Sequence, residues 1–134
     1  CSSLSDINSL ENWNVSNGNN FECMFYGCSS LSDIKSLEKW NVSNGTIFQR
    51  MFSDCSSLSN IKSLERWNVS KGNNFTSMFY GCSSLSEIDN TITKWNVSKI
   101  KLIFINLNVI NIRNIRVKII LIMTHWLTQD KTNL

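Results

Sequence analysis

Residues 48–70 read FQRMFSDCSSLSNIKSLERWNVS, and residues 21–43 read FECMFYGCSSLSDIKSLEKWNVS. The step between the two is 27 residues, and it holds along most of the chain. CSSLS begins at Cys1, Cys28, Cys55 and Cys82, and Met-Phe begins at Met24, Met51 and Met78. WNVS begins at Trp13, Trp40, Trp67 and Trp95, the last displaced by one extra residue. A fixed period of roughly 20–50 residues marks arrays in which each unit completes its core against its neighbours.

The apolar positions of one copy are Leu31, Ile34, Leu37, Trp40, Val42, Phe48, Met51, Phe52 and Cys55. The next copy repeats them at Leu58, Ile61, Leu64, Trp67, Val69, Phe75, Met78, Phe79 and Cys82. One unit is too small to enclose nine such side chains, so stacking Trp over Trp and Leu over Leu is the arrangement that removes them from water. Each large apolar side chain so buried contributes about 1.5–3 kcal/mol before entropy is charged against it. The expected fold is therefore a repeat solenoid over residues 1–98, three full units and a partial fourth, followed by a non-repeat tail at 99–134.

Local structure is less plainly written. In 31–40 the apolar residues fall at every third position, which matches neither a strand nor an α-helix. Ser30 and Asp33 have the spacing of a helix capping box. Residues 41–45, NVSNG, are turn chemistry. Phe48, Met51, Phe52 and Cys55 follow i, i+3, i+4, i+7, the pattern of a short helix or helical turn.

Phe-x-x-Met-Phe-x-x-Cys-Ser-Ser-Leu followed by Trp-Asn-Val-Ser resembles the bacterial-surface-protein-A-like leucine-rich repeats. It is closer still to the variant found in mycoplasma lipoproteins and in surface proteins of some protists. The resemblance covers residues 1–98. It implies a leucine-rich-repeat-like solenoid with one short strand, near 31–37, and one short helical turn, near 48–52, in each 27-residue unit. On that ground the strand is preferred to the capping-box helix. Leu31, Ile34 and Leu37 depart from the family, standing at +3 and +6 where the usual repeat has +3 and +5. The unit is also slightly longer than is common.

Composition narrows the function. The chain has 134 residues, 42% hydrophobic and 17% charged, with five glycines and no proline, so no flexible linker stands out. The net charge of +3 is unevenly placed. Residues 1–98 hold seven basic and nine acidic side chains, whereas 99–134 hold six basic and one acidic. Basic residues are not interleaved with aromatics along any face, so nucleic acid is not an expected partner. The sequence opens in mid-repeat at Cys1. An open array end exposes apolar surface, and an upstream extension is expected.

No pair of cysteines has Cys-x-x-Cys spacing, and His125 lies outside the repeats, so neither a metal nor another cofactor is expected. Layers about 5 Å apart leave disulfides open, but the reading adopted is a buried ladder of thiols acting as small hydrophobes. Cys23, out of register, is the thiol expected at the surface. The Asn-Val-Ser tripeptides at Asn14, Asn41, Asn68 and Asn96 are sequons on paper. Beside a core Trp and Val they read instead as an amide ladder or as Asx turns. Asn44 and Asn74 are out of register and are the candidate glycosylation acceptors. Glu11, Glu38 and Glu65 form a like-charge column offset by Asn12, Lys39 and Arg66, a solvated face.

There is no phosphate loop, nucleophile elbow or His-paired nucleophile, so an enzyme is not expected. A binding surface belongs where copies differ while the core repeats. Those positions are Glu22, Cys23 and Tyr26, then Gln49, Arg50 and Ser53, then Thr76, Ser77 and Tyr80. The expected function is a non-catalytic binding or adhesion module of a surface or secreted protein, with proteins or cell-surface ligands as partners. An intracellular, cytoplasmic scaffold and a functionless fragment of a larger repeat protein are the alternatives.

Beyond Ser98 the period stops. Residues 100–123 are rich in Ile and Asn and alternate in strand fashion at Ile103, Ile105, Leu107 and Val109. Lys101, Arg113, Arg116 and Lys118 interrupt any membrane span. Two origins stay open for the tail, a capping strand pair and out-of-frame sequence.

Overall fold

The period-three spacing of residues 31–40 has a direct structural cause. Three 3₁₀ helices, η1 (Asn8–Leu10), η2 (Lys35–Leu37) and η3 (Lys62–Leu64), occupy equivalent places in successive repeats of a computed structural model. The structure describes residues 1–86, 91, 94 and 95; Asn96 and the tail lie outside the described residues. A 3₁₀ helix turns once in three residues, so side chains at i and i+3 fall on one side. Ile34, Leu37 and Trp40 thereby face inward, and Leu31, which precedes the helix, is buried beside them, each 0–4% exposed. The Leu37 N–H donates to the Ile34 carbonyl and the Trp40 N–H to the Leu37 carbonyl, at 3.0 and 3.1 Å.

Each 3₁₀ helix is opened by an Asx side chain. Asp6, Asp33 and Asn60 accept the N–H two residues on, at Asn8, Lys35 and Lys62, with distances of 2.7, 2.8 and 2.7 Å. The strand expected near 31–37 is thus replaced by turn and 3₁₀ geometry. The anomalous +3, +6 spacing records that replacement, because a strand would send alternate residues to opposite faces.

The segment expected as a helical turn, 48–52, differs as well. Two tight turns follow one another, closed by Met51 N–H to Phe48 carbonyl and Cys55 N–H to Phe52 carbonyl, each 3.2 Å. The third residue of each turn has positive φ, 52° at Arg50 and 61° at Asp54, as type II turns require. The same pair recurs at Cys23 and Gly27, and at Ser77 and Gly81.

These turns free alternate backbone groups for the neighbouring coil. N–H groups of Phe21, Cys23, Phe25 and Gly27 donate to carbonyls of Ile47, Gln49, Met51 and Ser53 at 2.8–2.9 Å. Those of Phe48, Arg50, Phe52 and Asp54 donate to Asn74, Thr76, Met78 and Tyr80 at 2.6–3.0 Å. Every one of these bonds points from a coil to the next one along the chain. Parallel bridges Asn20↔Ile47 and Ile47↔Asn74 begin the ladder.

Side chains stack on the same register. Phe21, Phe48 and Phe75 form one column, with ring centroids 5.5 and 5.1 Å apart, and Phe25, Phe52 and Phe79 form a second at 5.4 and 5.7 Å. Such pairs add about 0.5–1.5 kcal/mol each beyond their burial. The indoles tie coils together: Nε1–H of Trp40, Trp67 and Trp95 donates to the carbonyl of Leu10, Leu37 and Leu64 at 2.9, 2.9 and 2.8 Å. The turn at Gly45 brings the chain so close to the Phe48 ring that a methyl group there would overlap it.

Candidate functional site

The turn ladder carries the variable positions, and its geometry sorts them. Residues at 22, 49 and 76 leave the backbone beside the inter-coil hydrogen bonds. Glu22 and Thr76 are exposed and Gln49 is half-buried. The Gln49 Oε1 accepts the Asn74 Nδ2–H at 2.9 Å. The next column, Cys23, Arg50 and Ser77, is left-handed throughout, with φ of 56°, 52° and 55°. Left-handed backbone at a non-glycine residue costs on the order of 1–3 kcal/mol and persists only where surrounding contacts impose it. Here the imposing contacts are the inter-coil hydrogen bonds, because Cys23 and Arg50 are themselves donors in that ladder.

The third column is Tyr26, Ser53 and Tyr80. The tyrosines are 49% and 40% exposed, while Ser53 between them is 2% exposed. Ser53 is therefore a correction to the expected ligand face: it lies in the interior. Its backbone is also engaged on both sides, the carbonyl accepting from Gly27 and the N–H donating to Arg50. The other eight positions share one turn ladder and reach solvent fully or in part. Sequence comparison found the column but not the burial, because Ser is a common surface residue and variation alone does not report accessibility.

Asparagines behave differently from the buried amide ladder. Asn14, Asn41 and Asn68 are exposed, and each Oδ1 accepts the N–H of Ser16, Ser43 and Ser70 at 3.1 Å. These are Asx turns, the other half of the expectation. Asn44, expected as a free acceptor, uses both ends of its amide: Nδ2–H donates to the Ser16 carbonyl at 2.8 Å, and Oδ1 accepts from Lys71 Nζ at 2.7 Å. Asn74 is half-buried, and its Oδ1 accepts the Thr76 N–H at 3.0 Å.

Three in-register thiols, Cys28, Cys55 and Cys82, are interior, while Cys1 and Cys23 are exposed. Cys55 and Cys82 donate S–H to the carbonyls of Phe25 and Phe52, both at 3.1 Å. Burial pushes both thiols up to about 12 and also raises Cys28. A neutral, hydrogen-bonded thiol at neutral pH is neither nucleophile nor metal ligand. Among the described residues no group of three or more His, Cys, Asp or Glu is placed to hold a metal ion.

The 3₁₀ segments form a second surface. Between η2 and η3 lies an open cleft of about 480 Å³ whose charged walls are Asp33, Lys35, Glu38, Lys62, Glu65 and Arg66. Acids and bases balance there. Glu11 pairs with Lys39 at 2.8 Å and Glu65 with Lys94 at 2.5 Å. The hydrogen bond from Lys39 holds the Glu11 carboxyl below its usual range, and that from Lys94 does the same for Glu65. Each lysine comes from the coil after its glutamate, and the two pairs offset the charge of Glu11 and Glu65 in the glutamate column.

Compared with known protein families, residues 2–117 match the model described as "Mycoplasma protein of unknown function, DUF285". The matched span takes in the repeats and runs past Ser98. No match was found among curated proteins or among solved structures. Among the described residues no helix is long and apolar enough to cross a membrane.

Proposed function

We propose that this chain, which belongs to the DUF285 family of mycoplasma-type proteins, is a leucine-rich-repeat-like solenoid that works as a non-catalytic binding or adhesion module at a cell surface. The observation that carries the reading is the contrast between columns. Core columns repeat the same residue and are 0–9% exposed at Phe48, Phe75, Leu37, Leu64, Met51 and Met78. The adjoining turn columns change residue from coil to coil and put Tyr26, Arg50 and Tyr80 in solvent. A ladder that holds exposed, variable side chains at fixed spacing is suited to recognition, as in repeat proteins generally. Tyrosine and arginine are residue types enriched at protein interfaces.

The partner class is a protein or another cell-surface ligand, met by the turn ladder through Tyr26, Arg50 and Tyr80. Two experiments test this. Protease shaving of intact source cells, followed by mass spectrometry, should release repeat peptides. Their appearance only after lysis would overturn the surface assignment. Once a partner is captured, replacing Tyr26 and Tyr80 together with Ala should weaken binding at least about tenfold, the loss of two interface hot spots. Unchanged affinity would remove the turn ladder from consideration.

A further inference from the structure

We propose that the leading face of the first coil is a docking surface for one further coil of the same 27-residue repeat. The inference rests on the stacked-coil reading above and extends it to a specific surface and occupant.

The face is exposed where its equivalents are covered. Trp13 is 55% exposed, against 4%, 3% and 4% for Trp40, Trp67 and Trp95. Leu4, Leu10, Val15 and Met24 are only partly buried. Their equivalents Leu31, Leu37, Val42 and Met51 are 0–1% exposed. What covers those equivalents is in each case the preceding coil.

The polar half of the surface carries the more specific demand. In the second coil the carbonyls of Ile47, Gln49, Met51 and Ser53 accept N–H groups from the first. In the third, Asn74, Thr76, Met78 and Tyr80 accept from the second. The equivalent carbonyls of the first coil belong to Asn20, Glu22, Met24 and Tyr26, and among the described residues no backbone N–H donates to them. This face therefore presents a row of acceptors together with three donors, the Trp13 Nε1–H and the N–H groups of Asn19 and Asn20, whose equivalents Thr46 and Ile47 donate back to the Asn19 carbonyl.

An occupant must therefore offer N–H groups on alternate residues, one backbone carbonyl for Trp13 and another for the Asn19 and Asn20 N–H groups, and two rings to stack on Phe21 and Phe25. A lipid surface would cover the apolar patch and leave the carbonyls dry and unpaired, which is costly. An unrelated edge strand would supply N–H groups without the carbonyls and rings in register. A coil of this repeat supplies all of them, and the interface is the one already formed twice within the chain.

The test is to fuse residues 28–54 in register ahead of Cys1 of the full chain. The indole N–H resonance of Trp13 is assigned by its loss in Trp13→Phe, and its exchange with solvent is followed. Docking predicts that exchange slows at least about tenfold, toward the rate of Trp40, as expected for a group opening only with its coil. A scrambled 27-residue leader should leave Trp13 exchanging as in the parent. Exchange that stays fast with the in-register leader, or slows equally with the scrambled one, overturns the docking inference while leaving the stacked array intact. Exchange at Trp40 as fast as at Trp13 in the unfused chain overturns the stacked array itself, and the docking surface with it.

Discussion

At the scale of single residues, burial and backbone angle decide chemistry that residue type leaves open. Five cysteines share one side chain and divide into two reactivities. Iodoacetamide at neutral pH should alkylate Cys1 and Cys23 and spare Cys28, Cys55 and Cys82, with all five modified after unfolding; mass spectrometry counts the adducts. Cys55 and Cys82 also tie stability to alkaline pH. Unfolded, each ionises near the ordinary 9.0; folded, each holds its proton to about 12. Above the lower value the unfolded chain binds fewer protons, so stability is fully present below it and falls through that window. Urea midpoints should decline on raising the pH above 9, and a Cys55→Ala, Cys82→Ala chain should decline less. Gly81 gives a second contrast. Its φ is +74°, and a methyl would overlap the Asp54 carboxylate, whereas Gly27, at φ +71°, has open space around it. Gly81→Ala should lower stability by about 1–3 kcal/mol, and by more than Gly27→Ala, measured by urea unfolding.

At the scale of elements, short turns take the place of helices and strands, and their hydrogen bonds leave the element. A 3₁₀ helix of three residues has little stability alone, since one turn fixes several dihedrals for few bonds. It is held by Leu37 and Leu64, fully buried, and by the indole that donates to the last residue of the preceding 3₁₀ helix. Trp67→Phe keeps most of the apolar area but removes one of the two hydrogen bonds that the Leu37 carbonyl accepts, for an expected loss of about 0.5–1.5 kcal/mol. Trp67→Ala adds a cavity and should cost about 3–5 kcal/mol. Chemical denaturation should rank parent, Phe and Ala in that order; equal losses for Phe and Ala would mean the hydrogen bond, not packing, dominates. The +3, +6 spacing in 31–37 was legible as an anomaly and is explained by 3₁₀ geometry. Of the paired left-handed turns at 48–55, the second was traceable, since Gly27 and Gly81 stand where Asp54 does, while the first was not, because Cys23, Arg50 and Ser77 are not residues that announce positive φ.

At the scale of the whole molecule, each coil is completed by its neighbours, so damage should spread to nearest neighbours first. Trp40→Ala should abolish amide protection in the first and second coils, and a chain this short then falls below the roughly 5–15 kcal/mol that holds a domain folded. Hydrogen exchange resolved by coil checks this. Loss confined to Trp40 itself would contradict coupling between coils. Surface ion pairs play a smaller part: Lys39–Glu11 leaves the two side chains 73% and 46% exposed, and such pairs are screened by salt. Melting should therefore shift little with ionic strength.

The division between sequence and structure follows from where each kind of information resides. The period, the nine core positions and the stacking of like on like were determined by the sequence alone. They depend only on which residues are apolar and on how far apart identical residues recur. Variation between copies misplaced Ser53, which is 2% exposed, and the family pattern misplaced the strand near 31–37. Tertiary structure decided the conformation of the turn ladder, the exposure of Asn14, Asn41 and Asn68, and the partners of its inter-coil hydrogen bonds. Left-handed backbone at Cys23, Arg50 and Ser77 is unfavourable within its own coil. At Cys23 and Arg50 it is held by N–H groups donated to the following coil, and a preference that arises only between layers is not written in any single one of them.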